Sequence, residues 1–315
     1  MLERLRAIGA PTGPSSRIAG VRVGIVDVGA NTVRLLIAAQ DGRRLVSVRE
    51  ERVQLGLGDE IERTGRISDE KLEDTAATAA TRVRRARKLR CAAVQVLITS
   101  PGRQAANGRE LVERLAEATA APARVLTAEE EGELAWHGAV AAAQDVPSTV
   151  AVCDVGGGSA QIAVGSLATG PAWVRSVDIG SLRLTRRAFR SDPPTPADFE
   201  RAQQAIADAF ADLTPPLPLA AIAVGGSARA LRRIEGDVLG PDELSDAVRR
   251  LQRRPSRHVA RMHRLDEQRA RTITAGALIL AEVQRRLNVP LTVGRGGLRE
   301  GAALMLLDAT VAATG

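Results

Sequence analysis

Val26-Asp27-Val28-Gly29-Ala30-Asn31-Thr32 and, much later, Cys153-Asp154-Val155-Gly156-Gly157-Gly158-Ser159 carry the same pattern. Each follows a β-branched run, closes it with Asp-Val-Gly, and sets a small hydroxyl residue five positions after an aspartate. A β-branched run broken by glycine reads as a strand entering a turn. Thr32–Ala39 and Gln161–Val164 then resume as strands. The two aspartates lie 127 positions apart (154 − 27). Self-similarity on that scale predicts two related α/β lobes, each opening with a hairpin.

The segments outward from these turns fit that reading. Ser68 caps a predicted helix over 69–89, with Leu72, Ala76, Ala79 and Val83 on one face. Val94–Thr99 reads as a buried strand and Arg109–Thr119 as a helix. Thr127 and Glu130 form a capping box at the next helix start. Thr195-Pro196 with Asp198 opens a helix over 196–212. Leu219–Val224 is a strand ending in Gly225-Gly226-Ser227, which starts a short helix to Ile234. Helices over about 242–252 and 268–287, a strand Leu291–Val293 and a last helix from Arg299 to about Asp308 complete the chain. Alternating strands and helices joined at glycine turns predict an α/β chain.

At 315 residues there is enough chain for two cores. No apolar run reaches the ~18 residues that would span a membrane, and Met1–Gly20 has Arg4 and Arg6 with no apolar stretch behind them, so it reads as a loose leader. Cys91 and Cys153 have apolar neighbours and no metal-ligand spacing, which predicts buried thiols in a cytoplasmic protein. Net charge is +7 and the pI about 10.8, favouring polyanionic partners. All 44 basic residues except Lys71 and Lys88 are arginine, a bias that a GC-rich genome also produces. Aromatic residues make up only 2%, too few for base-stacking platforms, so neither a nucleic acid nor a membrane is an expected partner.

Glycine after a strand lets backbone N–H groups converge on an anion. One such turn is weak evidence, because hairpins need glycine too. Here there are three, at Gly29, Gly156 to Gly158 and Gly225-Gly226, and two carry an aspartate just before them. An aspartate beside a phosphate loop makes chemical sense when a cation or an attacking water lies between them. Arg103 leaves a buried strand through Pro101-Gly102, read as a bend, and its fork suits a pair of phosphate oxygens. Among Glu129, Glu130, Glu131 and Glu133, Glu130 is used by the capping box. Glu131 presents a different face and is the better candidate for orienting a water. The basic stretch Arg249, Arg250, Arg253, Arg254, Arg257, Arg261 and Arg264 reads equally as a polyanion track or a solvated helix face. His137, His258 and His263 share no metal spacing, and Trp136 and Trp173 read as core or rim.

In this order these residues resemble the exopolyphosphatase/guanosine pentaphosphate phosphatase family, of the actin-like (ribonuclease H-like) superfold. The resemblance runs from Val21 to about Leu306. It rests on Val26 to Thr32, Thr99…Arg103…Ala105…Asn107, Glu130-Glu131, Asp154 to Ser159, Gly225-Gly226-Ser227 and Gly297-Leu298-Arg299-Glu300-Gly301. It implies two actin-like lobes with a ligand cleft between them. Residues 21–145 would form the first lobe, with a helix over about 299–315 packing back on it, and residues 146–298 the second. Phosphate would be held by Asp27, Gly29, Ala30, Asn31, Thr32, Gly156, Gly157, Gly158, Ser159, Gly225, Gly226 and Ser227. Arg103 would grip the terminal phosphate, Glu131 would be the base for water, and Asp154 with Gln161 would hold Mg²⁺ (or Mn²⁺).

The implied substrate is inorganic polyphosphate or guanosine pentaphosphate, and the implied assembly a homodimer. Longer relatives add helical domains, so this chain resembles a short form suited to shorter polymers. Ala30 replaces a family serine, and Pro101-Gly102 replaces an alanine and an apolar residue. Gln161 stands where the family has an acid, and brings no charge to a cation. Gln161 and Ala30 favour an alternative, a non-catalytic sensor of polyphosphate or guanosine tetra- or pentaphosphate. A kinase of the same superfold is the other rival, against which the Glu130-Glu131 pair stands, since together with Arg103 it fits attack by water better than by a sugar hydroxyl.

Overall fold

The first strand shows why the chain folds where it does: Val23 to Val26 is an unbroken buried run, and Asp27 ends it. The computed structural model describes residues 20–42 and 44–313, so the leader expected over residues 1–20 lies outside the described residues except for Gly20. The chain divides into two compact units, one of residues up to Asp145 together with Arg295 onward, the other Val146–Gly294.

In the first unit β1 (Arg22–Val28), β2 (Thr32–Asp41) and β3 (Arg44–Gln54) form an antiparallel meander. Helices α1 (Leu57–Thr64) and α2 (Asp69–Lys88) follow, then β4 (Ala93–Ile98), α3 (Ser100–Gln104), α4 (Gly108–Thr119), β5 (Ala123–Val125) and α5 (Ala128–Ala142). The sheet order is β3-β2-β1-β4-β5, with β4 parallel to both β1 and β5. One face packs under α2 and α4 through Leu72, Val83, Leu111 and Leu115. As the sequence predicts, Ser68 accepts from the Lys71 N–H to start α2.

The second unit repeats the scheme. Its elements are β6 (Thr149–Val155), β7 (Ala160–Ser166), β8 (Gly170–Val177), α6 (Ser181–Ala188), α7 (Pro196–Phe210), β9 (Ala220–Val224), α8 (Gly225–Glu235), β10 (Val238–Leu239), α9 (Pro241–Gln252), α10 (Ser256–His263), α11 (Glu267–Leu287) and β11 (Leu291–Val293). The order is β10-β11-β9-β6-β7-β8. Without the two-residue edge strand β10, its meander and parallel pairs match the first sheet. Helix α11 lies along the core, burying Ile273, Ile279, Leu280 and Leu287.

The chain then returns to the first unit as α12 (Leu298–Ala312), packed on α5 and β1 by Ala302, Ala303, Leu304 and Leu307. The α5–α12 contact is so close that a Cβ on Gly138 would overlap the Gly297 carbonyl oxygen, and one on Gly301 that of Leu134. The glycines of the closing motif are therefore packing residues. Both units are α/β, with the strand order of an actin-like lobe. No helix among the described residues is long and apolar enough to cross a membrane.

Candidate active site

The two aspartate-glycine turns close with the same hydrogen bond. The Gly29 N–H donates to the Thr32 carbonyl oxygen at 3.0 Å, and the Gly156 N–H to that of Ser159 at 3.0 Å. Each turn is also braced by the helix that follows the third strand of its sheet. In the first unit the Ala30 carbonyl accepts from the Gly58 N–H (2.6 Å), and the Asn31 carbonyl accepts from Leu55 (3.0 Å) and Gly56 (3.1 Å), at the start of α1. In the second, Gly156 accepts from Ser181 (2.9 Å), and Gly157 from Leu182 and Arg183 (both 3.0 Å), at the start of α6. Peptide planarity turns the N–H groups on those same peptide units, of Asn31, Gly157 and Gly158, away from the bracing helices. The Gly58 N–H of α1 and the Ser181, Leu182 and Arg183 N–H groups of α6, orphans of a helix start, are thereby satisfied by the turn they support.

In the first unit the predicted residues converge at the carboxyl ends of β1, β4 and β5. Asp27 faces Arg34 across the hairpin and Leu97 along the parallel pair. Gly29 lies beside both the Asp27 carboxylate and the Thr99 hydroxyl. Desolvation pushes the Asp27 carboxyl above its ordinary value, against the opposing pull of Arg34 and Arg299. Arg34 also donates from Nε to the Thr32 hydroxyl at 3.1 Å. Arg299, in the first turn of α12, was not singled out by sequence reasoning. The resemblance places Arg299 in the closing motif and its helix against the first lobe, but gives the side chain no role at Asp27.

Arg103 and Glu131 meet directly. Arg103 Nη1 donates to Glu131 Oε1 at 2.5 Å and to the Leu126 carbonyl at 2.6 Å. Its Nη2 and Nε bond nothing among the described residues, so two donors of the fork remain for an oxyanion. Glu131 is buried, and Arg103 is 24% exposed. Glu130 is held elsewhere: it accepts from the Thr127 N–H at 2.8 Å in the capping box and pairs with Arg124 at 2.6 Å. Burial raises its carboxyl, but the Thr127 hydrogen bond and Arg124 outweigh that and hold it low.

Pro101-Gly102 is not the expected bend. It forms the first turn of α3, proline supplying a preset helical start, while a Cβ on Gly102 would press to 2.7 Å of Val125. Asn107 of the same segment is a buried strut, exchanging two hydrogen bonds with the Ile67 backbone at 2.9 and 3.0 Å.

In the second unit the Asp154 carboxylate lies against Gly225. A side chain there would overlap Asp154 Oδ1, and the backbone has φ of 87°, so only glycine fits. Gly225 and Gly226 open α8, whose start has no side-chain cap. The Arg269 guanidinium of α11 packs on Gly226, its carbon 2.8 Å from where a Cβ would stand; this arginine too escaped sequence reading. Ser227 differs from expectation in one respect. Its hydroxyl is buried against Gly276 and has no hydrogen-bond partner among the described residues. Gln161 pairs with Asp154 in register and donates through Nε2 to the Ser159 (2.9 Å) and Ser176 (3.0 Å) hydroxyls.

No group of three or more His, Cys, Asp or Glu able to hold a metal occurs among the described residues. Asp154 and Gln161 stand opposite one another in the hairpin, a carboxylate and a side-chain amide oxygen of the class that Mg²⁺ takes alongside water and phosphate. Of the thiols, Cys153 is buried as expected; Cys91 is only half-buried, and desolvation pushes it up to about 11. Trp136 is fully buried, and burial holds the adjoining His137 low.

The model of the Ppx/GppA phosphatase family matches residues 36–310. Exopolyphosphatase 2 of Mycobacterium tuberculosis is 28% identical over 315 aligned residues, covering 90% of this chain and 98% of that one. Exopolyphosphatase 1 of Mycobacterium leprae is 25% identical, covering 91% and 90%. The crystal structure of the Aquifex aeolicus family member superposes with a TM-score of 0.79 at 26% identity, covering 94% of this chain and 99% of that one. An exopolyphosphatase from Cytophaga hutchinsonii shares the fold with a TM-score of 0.83 at 21% identity, covering 91% and 98%. With its two sheets of one topology, its paired aspartate-glycine turns and a family match over most of its length, the chain belongs to the Ppx/GppA phosphatase family.

Proposed function

We propose that the protein is an exopolyphosphatase that releases terminal orthophosphate from inorganic polyphosphate by attack of a water aligned by Glu131. The observation that carries this reading is the Arg103–Glu131 pair at 2.5 Å, set beside the Asp27 turn. Phosphoanhydride hydrolysis calls for positioning and charge neutralisation more than for covalent chemistry. The free donors of Arg103 would take oxygens of the terminal phosphoryl group, drawing the guanidinium toward the substrate. Glu131 Oε1 would then accept a hydrogen bond from water and orient it in line with the bond to be cut. The N–H groups of Asn31, Gly157 and Gly158 would contribute to holding phosphate oxygens. Asp154 and the Gln161 carbonyl oxygen would hold Mg²⁺, which supplies neutralisation of the anhydride's charge.

The measurement is phosphate release from tripolyphosphate, long polyphosphate and guanosine pentaphosphate with Mg²⁺, using wild-type and Glu131→Gln protein. General-base positioning is worth roughly 10²–10⁴-fold, so Glu131→Gln should lose that much in kcat with substrate affinity nearly unchanged. An unaltered rate removes Glu131 from the mechanism. The substrate ranking decides between polyphosphate and the guanosine nucleotide. The commitment of Gln161 to two serine hydroxyls, with no charge to offer a cation, favours the sensor as second reading. Tight nucleotide binding without release from any substrate would select it.

A further inference from the structure

We propose that arginines on α8 and α10 of the second unit form a track that binds the distal phosphates of a long polyphosphate chain. The inference rests on the phosphatase reading for its choice of ligand and extends it to chain length. The line begins at the Gly225-Gly226 turn, where the Arg269 guanidinium packs. Along α8, Arg229 and Arg233 are one turn apart on the same face. From Gly226 to Arg233 is about 10 Å at the helical rise. There Arg233 Nη1 donates to the Arg264 carbonyl at 2.6 Å, and His263 lies 3.3 Å from the Arg233 carbonyl. The end of α10 is thus pinned to α8. Back along α10 come Arg261 and Arg257, again one turn apart, and then Arg253 at the end of α9.

Several surface arginines elsewhere are paired with acids, among them Arg49, Arg82 and Arg114. Arg253, Arg257, Arg261 and Arg264 are exposed and form no ion pair among the described residues. Neighbouring acids are engaged elsewhere: Glu235 with Arg250, Asp237 with Arg232, and Asp246 with Arg249. Asp192 accepts from the Ser256 N–H and hydroxyl at 2.7 and 2.6 Å, and Asp266 caps α11. Asp242 and Glu267 are exposed acids of the region. The first turn of α10 holds Arg257 and no acid, although the helix dipole there disfavours a cation. The other dense cluster, Arg84 to Arg90, sits at the carboxyl end of α2, where the dipole favours it and Arg87 donates to the Ala120 carbonyl at 2.6 Å. Four exposed arginines, Arg253, Arg257, Arg261 and Arg264, in file without an ion pair among the described residues are what a flexible polyanion requires, and with aromatics at 2% the surface has few means of stacking bases.

The test measures binding without turnover. Glu131→Gln protein, with and without Arg257→Ala/Arg261→Ala/Arg264→Ala, is titrated with long polyphosphate and with tripolyphosphate over a range of KCl. The triple variant should bind long polyphosphate roughly tenfold more weakly at low salt and lose ~0.7 of salt slope per arginine removed. Affinity for tripolyphosphate should stay the same, which also shows that the variant is folded. Equal long-chain affinity in both proteins overturns the track. So does an equal loss in an Arg84→Ala/Lys88→Ala/Arg90→Ala control, which would mean generic charge. Single-stranded DNA of matched charge competing as well as polyphosphate overturns the assignment of the ligand. The hydrolase reading is judged separately, on phosphate release by protein with Glu131 intact.

Discussion

Asp27 is held where solvation does not favour its charge. Desolvation raises its carboxyl, and Arg34 and Arg299 recover only part of the cost. A carboxyl raised in the folded state binds more protons than in the unfolded chain between the two values. Stability is therefore fullest below the ordinary aspartate range and falls as pH rises through the folded value. Asp27→Asn should raise the melting temperature at pH 7, the gain shrinking as pH falls through that range, while phosphate release drops. Thermal melts against pH check the first part. An unchanged melting temperature at pH 7 would mean that the arginines cancel the penalty. Asp27 and Asp154 drew attention beside glycine turns, Glu131 beside a capping box and Arg103 at the end of a strand, and such features are local. The buried Ser227 hydroxyl, and the approach of Arg269 to Gly226, depend on α11 some forty residues away.

Helices here serve as braces for turns. The starts of α1 and α6 each donate two or more N–H groups to turn carbonyls, and neither helix was read from the sequence. Both are eight residues long, too short for periodicity to declare itself. The third strand of the first sheet was missed for another reason. Arg44–Gln54 carries Arg49, Glu50, Glu51 and Arg52 on an edge, the charged dressing that keeps edges from pairing and that hides a strand from hydropathy. By contrast the capping boxes at Thr127 and Thr195 form as read. Thr127→Ala should cost about 1 kcal/mol of stability, measured by denaturant unfolding, and should also depress turnover, because Glu131 lies one residue beyond the box. A stability loss with unchanged turnover would detach the cap from the positioning of Glu131.

Across the whole molecule, one topology is used twice with different chemistry at matching positions. Arg34 faces Asp27 and Gln161 faces Asp154 at the same place in the two hairpins. The first copy therefore sets a cation opposite its aspartate, and the second a neutral amide. Gln161→Glu should lower the Mg²⁺ concentration that gives half-maximal phosphate release, with Ser159 and Ser176 becoming donors to the new carboxylate. An unchanged Mg²⁺ dependence would remove position 161 from the ion's surroundings. The repeat was legible because Asp-Val-Gly recurs with its spacing intact.

The seating of α12 on α5 and β1 bears on synthesis. While the ribosome extends the chain, β1 and α5 emerge early, yet the layer made by Ala302, Ala303, Leu304 and Leu307 appears only after the whole second unit. Val146–Gly294 is contiguous and can complete its core during translation, whereas the earlier-made unit must wait with Leu36, Leu126 and Leu134 uncovered. In this protein the half that is made first is finished last, and that interval is when a nascent-chain chaperone has the most apolar surface to hold.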